Sequence, residues 1–189
     1  ITHKSKWTRR IFNNSSFTES GRFYGGFWQR IGEDHRKKIL INDEETRELD
    51  FSSLHPVLAY ANAGVDYWKE NPRVDPYAIA VAGIDNSKVA REAVKKLLLL
   101  ALNARDEASL FKAFRSEFDY SLLEEEFRFT NSVLSKILDS IKARHSIIAD
   151  QIATGAGTKL MNLDGKIVEF VIKRFLASNT PVLSVHDSF

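Results

Sequence analysis

The chain has 189 residues, 43% apolar, 28% charged and 11% aromatic, the make-up of a folded globular protein rather than a disordered or fibrous one. It has no cysteine, which excludes disulfide scaffolds, thiolate metal sites and cysteine nucleophiles. No unbroken apolar run exceeds six residues, the length of Leu97 to Leu102, far short of the ~20 that cross a bilayer. The net charge of +2 is unevenly spread: residues 1–40 hold nine Lys/Arg against three Asp/Glu, and the rest is acidic. A basic lobe on an acidic remainder suits a polyanionic partner that touches one part only, and equally a solvated basic edge.

Along the chain, residues 13–26 are rich in Asn, Ser and Gly and read as loop or irregular strand. Lys38–Ile41 and Glu48–Phe51 flank Asn42-Asp-Glu-Glu-Thr46, which predicts a hairpin between them. Ser52 or Ser53 is then placed to cap a short helix with Pro56 in its first turn, running to about Gly64. From residue 86 the pattern is helical. Asn86 or Ser87 caps a helix to about Ala104, Asp106–Phe118 is a second, and residues 121–154 hold one or two more. Gly155-Ala-Gly157 breaks the pattern, Thr158–Ser178 resumes it, and Pro181-Val-Leu-Ser-Val185 reads as a final strand.

Strands, a helical middle, then a helix and a strand predict an α+β fold with an inserted helical subdomain. The chain opens on Ile1 and stops at Phe189 directly after a strand-like run, so a fragment of a longer protein is expected.

Two acidic residues stand out. Asp50 closes a predicted strand just before a helix, and Asp187 follows an apolar strand. A carboxylate at the end of a buried strand is costly unless it is paired or binds a cation. Two of them side by side suit a pair of Mg²⁺ ions, which take hard oxygen ligands and can clamp both oxygens of a phosphoryl transfer. Taken singly, Asp50 reads as a helix cap and Asp187 as a turn residue. Arg91 and Lys95 stand four apart on one helical face, with Lys88 before them and Asn103 two turns after Lys95. That row can hold a triphosphate, or can be a solvated outer face.

In order, Asp50-Phe-Ser-Ser-Leu-His55, Arg91-x-x-x-Lys95 and Val185-His-Asp-Ser-Phe189 resemble the first, fingers-helix and last motifs of family A DNA polymerases. They also resemble the related single-subunit phage-type RNA polymerases. Thr18-Glu-Ser-Gly-Arg22 is similar to the Thr-x-x-Gly-Arg segment of the DNA polymerases. Leu163-Asp-Gly165, read as preceding the last helix, and Asp-Ser-Phe after His186 look more like the RNA polymerases. Asp50-Phe-Ser-Ser-Leu also resembles the first motif of family B polymerases, whose Asp-Thr-Asp is absent here.

The resemblance covers residues 17–189 and implies a palm-like antiparallel sheet with a helical fingers-like insertion. Residues 1–60 would form the basic segment and first part of the palm, 61–155 the fingers, and 156–189 the return to the palm. It implies that Asp50 and Asp187 bind two Mg²⁺ ions and that Arg91 and Lys95, with Phe51, His55 and Asn103, bind the nucleotide. It also implies that Arg22 and His186 touch the nucleic acid.

The implied function is template-directed nucleotidyl transfer, by a DNA polymerase acting on template-primer and dNTP. The alternatives are RNA synthesis or priming from rNTP, or a non-catalytic nucleic-acid-binding palm remnant. A monomer in the cytoplasm is expected, including that of a phage host. His55 stands where the DNA polymerases usually carry a ribose-excluding Glu. Leu99 and Asn103 stand where the fingers helix normally has an aromatic. With no thumb and no strand after Asp187, the isolated 189 residues are expected to be poorly active.

The basic N-terminal region interleaves Trp7, Phe12, Phe17, Phe23, Tyr24, Phe27 and Trp28 with Lys4, Lys6, Arg9, Arg10, Arg22 and Arg30. That pattern fits phosphate neutralisation with base stacking, and fits a buried hairpin face as well. His35 and His145 have no other ligand types near them in sequence and read as structural.

Overall fold

The computed structural model describes residues 5–123 and 127–189. Lys4 of the basic segment lies outside them. The chain divides into two units, Ile1–His55 with Thr158–Phe189, and Pro56–Gly157.

The first unit is built on short hairpins and one long helix. Strand β1 (Arg9–Phe12) pairs antiparallel with β2 (Ser20–Tyr24), with Arg10 opposite Phe23 and Ile11 opposite Arg22. The ladder is irregular between Ile11 and Phe12, where Ser20 (φ 61°) and Gly21 (φ 95°) take left-handed backbone. A short helix α1 (Glu33–Arg36) leads to β3 (Leu40–Ile41), which pairs with β4 (Glu44–Glu45).

That hairpin differs from the sequence expectation. Asn42 and Asp43 are both left-handed (φ 54° and 65°), so the chain reverses within two residues and Glu48–Phe51 is not its second strand. Asn and Asp tolerate this conformation, which two-residue turns of this hand require.

Helix α7 (Gly157–Ala177) crosses the unit boundary at its first residue and supplies the rest of the first unit's scaffold. Leu163-Asp-Gly165 therefore lies inside a helix, not before one. Residues 181–185 form no strand. Val185 makes a single bridge to Ser188, and Pro181, lacking an N–H, cannot extend a ladder. Trp28, Leu54, Leu160 and Val168 are buried here, together with five polar residues: Ser20, Asn162, Asp164, Ser184 and Ser188.

The second unit is helical: the greater part of α2 (Leu54–Asn62), then α3 (Tyr67–Glu70), α4 (Ser87–Asn103), α5 (Glu107–Glu117) and α6 (Asn131–Arg144). Ser53 before α2 is left-handed (φ 55°), unlike the extended backbone of a capping residue. The later starts follow the sequence closely. The Asn86 side chain accepts from the Lys88 and Val89 amides (3.0 and 3.4 Å), and Asp106 accepts from Ser109 (2.8 Å).

Helix α4 buries Ala93, Val94, Leu97, Leu98, Ala101 and Leu102 and packs on α5 and α6, which bring Leu110, Phe114, Leu134, Leu138 and Ile141. Phe114 and Phe118 each set an edge against Phe129, with centroids 4.8 and 4.9 Å away. Fully buried His145 links three segments of this unit. Its Nε2–H donates to the Pro76 carbonyl (2.9 Å), which fixes Nδ1 as acceptor for the Tyr60 hydroxyl (3.1 Å). Among the described residues, no helix is long and apolar enough to cross a membrane.

Candidate functional site

Glu48–Phe51, released from β3, pairs with the end of the chain. Leu49 and Phe189 exchange both backbone hydrogen bonds (2.8 and 2.9 Å), Asp50 bridges Ser188, and the Phe51 amide donates to the Asp187 carbonyl (3.4 Å). Asp50 and Asp187 therefore sit on adjacent antiparallel segments, one residue out of register. Ladder geometry separates their α-carbons by roughly 6 Å.

Asp187 is at the tip of a two-residue turn closed by Val185 and Ser188 (2.8 and 2.9 Å). His186 takes the left-handed position in that turn (φ 53°), at a cost of about 1 kcal/mol that glycine would avoid. Its ring meets the edge of Tyr24 (5.7 Å). Partial desolvation there, and then Arg22, hold its pKa below the usual histidine value.

Two anchors hold this return segment. The Arg36 guanidinium forks onto Glu48 (3.0 and 3.1 Å), and the Ser188 hydroxyl donates to the same carboxylate (2.9 Å). The Arg36 bond comes first among the causes that hold Glu48 below the ordinary carboxylate range. On the other side, Trp28 Nε1 and Gln29 Nε2 both donate to the Ser184 carbonyl (2.9 Å each). The phenyl rings of Phe51 and Phe189 meet edge to face at 6.1 Å.

Near Asp187 lies a part-buried polar chain. Arg22 Nε donates to Asp164 Oδ2 (2.5 Å), and Arg22 Nη2 lies 2.9 Å from His55 Nε2. A guanidinium only donates, so His55 Nε2 accepts and the ring carries its proton on Nδ1. Burial, then the charge of Arg22, push the His55 pKa down, while Asp164 and Asp187 oppose them. Asp164 is fully buried, and its Oδ1 has no hydrogen-bond partner.

Helix α7 pins the same stretch at three more points. Asn162 donates to the Phe17 and Ser20 carbonyls (3.0 Å each), Glu169 pairs with Arg10 (2.7 Å), and Gly165 faces Gly21. Neither Arg36 nor Asn162 stands out in the sequence, Glu48 enters it only as the start of a predicted strand, and Asp164 only within Leu163-Asp-Gly165.

The first unit thus holds Asp50, Phe51, His55, Arg22, His186 and Asp187. Arg91, Lys95 and Asn103 lie on α4 in the second unit. Arg91 is already engaged: it pairs with Asp75 and Glu92, and its guanidinium lies 5.2 Å from the Tyr77 ring centroid. Burial works against the Asp75 charge, but Arg91, the Tyr77 amide and nearby Lys95 together hold its pKa low. Asn103 donates back to the Leu99 carbonyl (2.8 Å) and presses against Gly157.

The interleaved N-terminal residues divide. Trp28 is core, and Arg10 lies against the Phe12 and Phe23 rings (4.8 and 5.6 Å), whereas Trp7 and Phe17 are exposed.

The donor chemistry at Asp50 and Asp187 fits Mg²⁺. Among the described residues no three His, Cys, Asp or Glu gather into a metal cage. Mg²⁺ needs none, since it commonly takes one or two carboxylates and completes its shell with water and substrate phosphate. Comparison of the chain with protein-family models, with curated proteins and with solved structures found no match.

Proposed function

We propose that the chain carries the palm and fingers of a template-directed nucleotidyltransferase, a DNA polymerase by class, working in the cytoplasm on a DNA template-primer and dNTPs. The observation behind the reading is the pairing of residues 49–51 with 187–189, which brings Asp50 and Asp187 onto adjacent segments, one residue out of register. The order of the sequence motifs supports it as well.

Asp50 and Asp187 would hold two Mg²⁺ ions through their carboxylate oxygens. When bound, such ions offset charge on the attacking and leaving oxygens of an in-line phosphoryl transfer. Arg91 and Lys95 would bind the triphosphate, Arg91 as a planar fork and Lys95 as a point charge. Engaging phosphate requires Arg91 to exchange Asp75 for the ligand. Phe51, His55 and Asn103 would contribute to the nucleotide site, with His55 offering the donor Nδ1–H. Arg22 and His186 would support the nucleic acid at the growing end. A 3′-hydroxyl oxygen bonds to the α-phosphorus, the bond to the bridging oxygen breaks, pyrophosphate leaves and the hydroxyl proton is released.

Primed-template extension by the intact natural protein tests this, with Mg²⁺ and with dNTPs and rNTPs in separate reactions. Extension with dNTPs that both Asp50→Ala and Asp187→Ala abolish is the expected result. Extension with rNTPs alone would replace the DNA assignment by RNA synthesis. No extension, with template binding equal in the wild type and both variants, would overturn catalysis in favour of a binding module.

A further inference from the structure

We propose that the outward face of α7 is a binding track for single-stranded nucleic acid. Lys159, Lys166, Phe170, Lys173 and Arg174 are spaced by three, four and seven residues, so they share one side of the helix. All five are exposed, while Leu160, Asp164 and Val168 on the other side are buried. Phe170, 62% exposed, stands in the middle of the charged stripe. Lys166 and Arg174 flank it one turn away on either side, each about 6 Å along the axis. The Arg174 guanidinium carbon lies 5.7 Å from the Phe170 ring centroid.

Burial does not account for this phenylalanine. The flanking acid on this stretch, Glu169, is already neutralised by Arg10 (2.7 Å) and Lys173 (2.6 Å), so the face stays cationic over about 22 Å of helix.

The combination selects its partner. Cations along a line neutralise successive phosphates, and an aromatic platform between them stacks on a base, whatever the base. A duplex hides its base faces and could use only the cations. A lipid surface needs a broad apolar face, and this stripe has one aromatic among four cations. The track stands on the α7 face alone and does not require Asp50 and Asp187 to be catalytic.

Fluorescence anisotropy with a labelled oligo(dT) of about 15 nucleotides is the test, set beside a duplex of equal length and anionic phosphatidylserine vesicles. The oligonucleotide should bind more tightly than the duplex. Phe170→Ala should weaken that binding about tenfold with the salt dependence unchanged. Lys166→Ala with Arg174→Ala should flatten the log K against log salt slope by about 1.4, the contribution of two phosphates on a single strand. All five side chains are exposed, so these variants should fold as the wild type does.

Absent oligonucleotide binding, variants that bind like the wild type, a preference for duplex, or capture by vesicles alone would each overturn the track. A protein that binds oligo(dT) this way and extends no primer keeps the track and loses the polymerase reading. One that extends primers while the track variants bind normally loses the track.

Discussion

Gly165 in α7 stands directly against the backbone of Gly21 in β2: a Cβ on Gly165 would lie 2.4 Å from the Gly21 carbonyl oxygen. Two backbones meet there with no room for a side chain, which places Arg22 and Asp164, each next to one of these glycines, within ion-pair reach. In an unconstrained helix, Gly→Ala stabilises by up to about 1 kcal/mol. Here Gly165→Ala should instead destabilise by about 1–3 kcal/mol through overpacking, read as a lower urea midpoint with an unchanged slope.

Asp164 is a carboxylate with no access to water, and Arg22 is nearly as enclosed. Asp164→Ala leaves the guanidinium buried with His55 as its neighbour, and should cost about 3–5 kcal/mol. Arg22→Met in the same chain should recover most of that loss. A double variant no more stable than Asp164→Ala alone would show that the pair contributes through packing, not charge.

The Arg36–Glu48–Ser188 link fastens the segment bearing Asp187 to the one bearing Asp50. Glu48→Ala removes charge-assisted bonds worth about 1.5 kcal/mol, so the Leu49 and Ser188 amides should exchange with solvent about tenfold faster. Helix α4 amides in the second unit should keep their protection. Uniform acceleration across both units would point to global destabilisation.

His145 is held neutral by burial, the largest cause of its lowered pKa, with Arg144 adding to it and the Pro76 carbonyl opposing. Protonation therefore favours the unfolded chain. The stability present above about pH 7 should fall as pH drops below ~6.5, the unfolded value, and level off once the folded group also titrates. His145→Gln should be less stable at pH 7.5 but lose less between pH 7.5 and 5, measured as melting temperature. His55 and His186 carry shifts in the same direction, so the difference between variant and wild type isolates His145.

The Asn86 cap is a local interaction with a local price. Asn86→Ala should cost about 1 kcal/mol and Asn86→Asp almost nothing. Chemical denaturation of the three proteins side by side would measure both differences.

What could be read from the sequence is what is decided within a helical turn. Asn86 and Asp106 announce their helices because a side-chain oxygen caps amides two or three residues on. The α4 core face follows from spacing alone. Asp50, Asp187, Arg91 and Lys95 are legible in the sequence only as a resemblance in their order; the first two lie in the first unit and the last two in the second. The predicted 38–41/48–51 hairpin and 181–185 strand did not form, because a strand's partner is not a local property. Asn42-Asp43 could close the turn early, and Glu48–Phe51 then found residues 187–189.

Tertiary structure alone decided the rest: Arg22 against Asp164 across 142 residues, Ser188 against Glu48 across 140, and Gly21 against Gly165. Each needs two distant segments brought to within a few ångströms. Composition and periodicity specify which face of an element is apolar, and the docking of those faces fixes which polar groups meet inside.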